Sequence, residues 1–149
     1  EFRQMCSDRI WRIGVTTTSN NQSEIYTKAL FPHAGPVVEN FAITAVINEM
    51  LMQSYDGVIR LFPALPDGLD AVIDNLLAIG AFLVSSKIEN GEIGEVRIAS
   101  GVGNTCRLYN PWPDRNVRVI DMTSSVELYA GLDAGILTFP AIGGPTYTV

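Results

Sequence analysis

Up to residue 36 the apolar positions of this chain are sparse. Ile10-Trp11-Arg12-Ile13-Gly14-Val15 alternates apolar and basic residues, as an edge strand or a short helix would. Thr16 to Ser23 is polar throughout and reads as a loop, and Glu24 to Leu30 fits one or two helical turns. Phe31 to Pro36 is irregular by its prolines and its glycine. The pattern then turns helical. Ile43, Ile47, Met50 and Leu51 mark one helical face, and Ala42, Ala45, Val46 and Met52 mark much of the other. A helix apolar on nearly every side needs cover on more than one. Asn40 is its expected N-cap, because its side chain can accept from the free amides of the first turn. Ser54-Tyr55-Asp56-Gly57 ends the helix in a tight turn. Val58 to Phe62 follows as a short strand, closed by Pro63, which has no amide for a ladder. A second helix is expected over Asp67 to Ile79. Asp67 caps it, Leu69, Val72, Ile73, Leu76 and Leu77 form its stripe, and Gly80 stops it.

From Ala81 onward the period changes to two. Phe82 to Ile88 is a strand, Asn90-Gly91 a hairpin signal, and Ile93 to Ala99 the returning strand. Ser100 to Asn104 reads as a turn or bulge. Thr105 to Tyr109, Val117 to Met122, Val126 to Tyr129 and Gly135 to Phe139 are further strands, and Gly143-Gly144-Pro145 ends the regular part. Short strands at near-regular spacing predict a sandwich. The expected fold is therefore α+β: a helical segment with a short strand over 1–80, then an antiparallel β-sandwich over 81–149.

Composition narrows the function. A hydrophobic content of 47% suits a sizeable core, and 149 residues suit one domain of ordinary size. The net charge of −6, with ten scattered basic residues, argues against a nucleic-acid partner. No apolar run spans a bilayer, and no signal peptide is visible. The start Glu1-Phe2, without a methionine, fits a processed chain or first residues left by cloning. Cys6 and Cys106 are either one disulfide or two separate thiols. Their spacing fits no metal motif and His33 has no partner imidazole, so neither a metal nor a cofactor is expected.

One run is more specific. Asn40-Phe41-Ala42, then Glu49-Met50-Leu51-Met52-Gln53-Ser54, Tyr55-Asp56-Gly57 and Ile59-Arg60-Leu61-Phe62-Pro63-Ala64-Leu65-Pro66 resembles a signature near the C-terminal end of glycoside hydrolase family 95, the α-L-fucosidase family. Those enzymes typically read Asn-Phe-Gly, an apolar helix, Glu-Met-Leu-x-Gln-Ser, His-Asp-Gly and Ile-Arg-Leu-Leu-Pro-Ala-Leu-Pro. The likeness covers about His33 to Val84. Beyond it, a Gly-Leu-Arg-Ala-Arg-Gly-Gly-Phe segment corresponds to Asn75-Leu76-Leu77-Ala78-Ile79-Gly80-Ala81-Phe82, so Leu77 and Ile79 stand where the family has arginines. The resemblance implies that the helical segment is the last piece of a helical toroid. It also implies a carbohydrate ligand, a secreted or periplasmic location, and association with the upstream helical part of the same enzyme or with a second copy.

It implies candidate site residues as well. In the family an Asp two residues before the motif Asn supplies a catalytic carboxylate. Without a gap that position is Val38, and with a one-residue deletion anchored on His33 it is Glu39. Glu39 is thus the candidate catalytic carboxylate, although a carboxylate beside a helix start is also favoured by the helix dipole alone. His33 and Asn40 are candidate sugar contacts, the first otherwise a turn residue and the second otherwise a cap. Trp112, between Pro111 and Pro113, is either a stacking platform for a sugar face or a cover for a sheet edge. A glycosidase needs two carboxyl groups, and the family's general acid lies upstream in the toroid. The expected whole is the C-terminal portion of a carbohydrate-active hydrolase without a complete active site. The rival is a non-catalytic carbohydrate-binding or structural module.

Overall fold

The computed structural model describes residues 37–132 and 135–149, with side chains from residue 44 on. Contacts divide the chain after Asn48, and Glu49–Val149 is a compact unit of its own. The first described element is helix α1, Val37–Leu51. It begins earlier than the pattern suggests, so Asn40 lies within the helix and is not its N-cap. Pro36, which has no amide to leave unpaired, stands just before it in sequence. Along α1, Thr44, Ala45, Val46, Asn48 and Glu49 are exposed, while Ile47, Met50 and Leu51 are half-buried. The expected cover on two faces is therefore not met at these positions.

The helix also stops three residues earlier than expected. Its last carbonyls are taken by the chain that returns past them: Phe62 N–H donates to Leu51 O at 2.7 Å and Ala64 N–H to Met50 O at 3.5 Å. Met52–Gln53 becomes strand β1 and pairs antiparallel with β2, Arg60–Leu61. The expected tight turn joins them, with Gly57 N–H donating to Ser54 O at 2.9 Å.

The helix expected over Asp67 to Ile79 is not formed. Ala71–Ala78 is strand β3, antiparallel to β4, Phe82–Glu89. The register shifts between Ile73 and Leu76, where Asp74 and Asn75 form a bulge and Asn75 takes a φ of 52°. Ser85 Oγ accepts the Asn75 amide at 2.9 Å and donates to Asp74 Oδ1 at 3.1 Å, so the extra residues are satisfied from the neighbouring strand. The bulge explains the misreading. Ile73 and Ala78 face the core and Ala71 and Leu76 lean on it, but the extra residue lengthens the inward spacing from Ile73 to Leu76 to three. An inserted residue in a strand thereby mimics a helical stripe. Leu77, placed in that stripe, is 67% exposed.

The later elements follow the period-two reading closely. Asn90-Gly91 makes a two-residue hairpin between β4 and β5, Glu92–Ile93, with both residues in the left-handed region at φ 52° and 78°. The returning strand is interrupted at Gly94 to Val96 and resumes as β6, Arg97–Ser100. Then come β7, Thr105–Tyr109; β8, Asn116–Asp121; β9, Glu127–Leu132; and β10, Ile136–Pro140. Asp121 organises the β8–β9 turn. Its buried carboxylate accepts the Thr123 amide at 2.7 Å and the Ser124 amide at 3.3 Å, which holds it below the usual carboxylate range. A strand not expected from the sequence, β11, Thr146–Thr148, follows Gly143-Gly144-Pro145.

The larger sheet runs β3-β4-β6-β11-β8-β9, with β5 also on β4, and every pairing in it is antiparallel. The smaller sheet is β7 with β10, extended by Ile59, which bridges Leu108 in parallel. Inward residues of both sheets share one core: Val84, Ile98, Val119 and Tyr147 from the larger, Cys106, Leu108, Leu137 and Phe139 from the smaller. Phe139 and Tyr147 meet with ring centroids 5.5 Å apart. The described fold is thus mostly antiparallel sheet with one helix.

Two outcomes check this packing. Leu137→Ala should destabilise the protein by roughly 2–5 kcal/mol in denaturant titration, whereas Leu77→Ala, at an exposed strand position, should change stability by less than about 0.5 kcal/mol. A buried helical Leu77 would reverse the second result. Cys106 is a free thiol with no exposure, and burial pushes its pKa up to about 12. Peptide mapping after iodoacetamide treatment at mildly alkaline pH should therefore find Cys106 unlabelled in the native protein and labelled after unfolding.

Candidate functional site

The densest polar geometry among the described residues begins in the turn after β1. Asp56 accepts the Val58 amide at 3.1 Å and both terminal nitrogens of Arg60, each at 2.7 Å. A planar guanidinium and a carboxylate fit each other through two parallel bonds, which fixes both groups. The Arg60 fork holds the Asp56 carboxyl well below the usual carboxylate range, and Asp56 in turn raises the pKa of Arg60. Arg60 also donates to Val58 O at 3.3 Å. Tyr55 and Tyr109 both lie within electrostatic reach of this guanidinium. They are 70% and 51% exposed.

Strand β7 carries the surface onward. Cys106 and Leu108 point into the core, so Thr105, Arg107 and Tyr109 point out and are exposed. On one side of β7, Arg107 stands opposite Thr138 and Tyr109 opposite Ile136. On the other side Ile59 N–H donates to Arg107 O at 2.8 Å and Tyr109 N–H to Ile59 O at 2.9 Å, which sets the next residue, Arg60, beside Tyr109. At the Thr105 end the surface dips into a groove of about 400 Å³, lined by Arg107, Thr105, Asn104, Gly80, Ile79 and Gly57 among others. Asn104 Nδ2 donates to Gly80 O at 3.1 Å and closes one wall.

The charge arrangement singles out Arg107. Among the described residues Arg60, Lys87, Arg97, Arg115 and Arg118 each pair with an acid, namely Asp56, Glu89, Glu95, Glu92 and Glu127. Arg107 has no such partner. No described group of three or more His, Cys, Asp or Glu residues is placed to hold a metal ion.

Residues 53–149 match the family description glycoside hydrolase family 95, C-terminal domain. The chain belongs to this family. None of the curated proteins compared with it matches. The match extends the resemblance, which was specific only as far as Val84, across all the later strands of the glycoside hydrolase family 95 C-terminal domain.

Of the sequence-nominated residues, Glu39 and Asn40 fall in the N-terminal part of α1, outside the matched residues, and the described side chains begin after them. His33 lies outside the described residues. Trp112 lies within the domain, half-buried and packed against the core. Its Nε1 donates to Ile93 O at 2.8 Å, and its amide donates to Asn110 Oδ1 at 2.9 Å. The indole thus ties the loop after β7 to strand β5. The row Arg60, Tyr109, Arg107 was not nominated. Its signal was present in the alternation of Thr105 to Tyr109, where every second residue is polar or aromatic.

The Asp56–Arg60 fork has a pH signature. Because the folded Asp56 pKa is depressed, its contribution is fully present above the ordinary value of 3.8 and is lost as pH falls through the folded value. Thermal melts of the native protein and Asp56→Asn should therefore differ at neutral pH, with the variant less stable. The difference should narrow progressively as pH falls below about 4. A difference independent of pH would show that the fork is not ionised as described.

Proposed function

We propose that this chain is the C-terminal part of a carbohydrate-active glycoside hydrolase resembling α-L-fucosidases, and that it does not form a complete active site by itself. The observation that carries this reading is the family match over residues 53–149. In this reading the sheets from β3 onward are an accessory β-sandwich, and α1 is the last piece of a helical toroid. The upstream helical part of the same enzyme is the partner that completes the catalytic centre, and a second copy is the other candidate partner. Glu39 is the proposed catalytic carboxylate, at a position where the family pattern has Asp. His33, Asn40 and Trp112 are proposed sugar contacts.

Two carboxyl groups are required across a glycosidic bond, about 5–5.5 Å apart for retention and roughly 6.5–9.5 Å for inversion. Glu39 supplies at most one of them. The described domain supports this division of labour, because its tightest carboxylate, Asp56, is locked to Arg60 through both oxygens and is held ionised. A carboxylate in that state is a poor general acid.

A second reading, a non-catalytic carbohydrate-binding module, is favoured by the two exposed tyrosines beside a fixed arginine. Activity separates the two. The chain alone should give no turnover of an aryl α-L-fucoside, and addition of the upstream helical part should restore it under the first reading only. Turnover by the chain alone, abolished by Glu39→Gln, would overturn the incomplete-site reading.

A further inference from the structure

The outward face of the smaller sheet brings together features that the family membership does not explain. Among the described residues the exposed aromatic rings are Tyr55 and Tyr109; strand pairing sets Tyr109 beside Arg60, and Tyr55 stands in the turn that leads into Arg60, within electrostatic reach of its guanidinium. Arg60 is held flat by Asp56 and uses three of its five N–H groups on Asp56 and Val58 O, leaving two for a ligand. The next outward residue of β7 is Arg107, which has no acidic partner among the described residues, and beyond it lies the groove with Thr105 and Asn104.

We propose that the strip formed by Tyr55, Arg60, Tyr109, Arg107 and the adjoining groove binds an acidic oligosaccharide. The proposal rests on the carbohydrate-associated reading above and names the ligand class and the surface. The tyrosine rings stack on the apolar faces of sugar rings, and the two free N–H groups of Arg60 donate to hydroxyls. Arg107 takes a carboxylate, and Thr105 and Asn104 supply neutral polar contacts in the groove. An acidic group is the complement because Arg107 pairs with no acid among the described residues, while the chain as a whole carries −6. The general field repels anions, so only a ligand that reaches Arg107 directly gains from its charge. A saccharide is favoured over an acidic peptide because the strip offers exposed aromatic rings for sugar faces and an arginine whose donors Asp56 holds in place for hydroxyls.

The test is calorimetric titration of the whole 149-residue chain with tetragalacturonate, with cellotetraose and hexaglutamate as neutral and peptidic comparisons. Tetragalacturonate should bind, and the other two should bind at least about tenfold more weakly. Tyr109→Ala and Arg107→Ala should each weaken binding by at least about tenfold, Arg107→Lys should restore part of it, and Arg97→Ala should leave it unchanged. Melting temperatures of the variants check that each is folded. Absence of binding, equal binding of cellotetraose or hexaglutamate, or insensitivity to both Tyr109 and Arg107 would overturn the proposal. These outcomes are read as binding and leave the fucoside assay untouched, so failure of the strip and failure of the hydrolase reading are separate results.

Discussion

The larger sheet is continuous only because a three-residue strand joins its halves. Strand β11 lies between β6 and β8, pairing Tyr147 with Ile98 on one side and with Asp121 on the other. Without it, β3-β4-β6 and β8-β9 would be separate pieces with unpaired edges. Val96 and Val149 extend the seam by exchanging two further backbone bonds, at 3.2 and 2.9 Å. Tyr147 also crosses the layers. Its ring packs on Phe139 of the smaller sheet, and its hydroxyl accepts the Ile142 amide at 2.9 Å. A buried tyrosine hydroxyl left without a partner would be costly, so this bond and the ring contact fix the last turn of the chain together. Close approach of backbone completes the arrangement. A Cβ on Gly103, at φ +77°, would sit 2.9 Å from Gly143 N, so the turn after β6 can rest against the turn before β11 only with glycine there.

The smaller sheet depends on this seam for its core face and is free to use its other face. Its inward residues are aliphatic, a thiol and a phenylalanine, and its outward residues carry an arginine, a tyrosine and threonines. That alternation decouples stability from surface chemistry, since either face can change while the other holds. The Asp56–Arg60 fork sits where the chain enters this sheet. Exposed ion pairs contribute little to stability as a rule, but a bidentate pair with an added backbone bond restricts rotamers. The fork therefore gives Arg60 a fixed plane next to Tyr109, which is an orienting role more than a stabilising one.

Much of the β region was legible because it obeys a single rule. From Phe82 to Phe139 inward residues alternate with outward ones, and Asn90-Gly91 announces its hairpin. The failures have local causes. In β3 the bulge at Asp74-Asn75 stretched one interval of the alternation to three, and three-residue spacing is the mark of a helix. The resembled segment carried a hint, for Asn75 and Ala81 stand where that segment has glycine and both adopt a positive φ. Glycine there points to left-handed turns in a strand pair. Strand β11 escaped notice because its one core residue, Tyr147, is flanked by threonines, so no alternation could be counted. The surface strip was not seen because its members come from a turn and two strands, and only pairing places Arg60 beside Tyr109.

Leu77 and Ile79 give the misread segment a different meaning. Placed on a helix they would have enlarged a buried stripe. In the structure Leu77 faces outward on β3, 67% exposed with Leu83 opposite it, and Ile79, 55% exposed, lies in the turn that follows the strand. An outermost strand with apolar outward residues invites pairing with another chain. The Asn75 bulge limits that risk, because a left-handed residue bends the strand and its amide is already taken by Ser85. The edge is thereby blunted while the face stays apolar. Continuation of the ladder is obstructed at the middle of β3. Ile79 also lines the groove that holds Arg107 and Thr105, so the turn after β3 brings an apolar residue of the larger sheet's edge against the polar outward row of the smaller sheet.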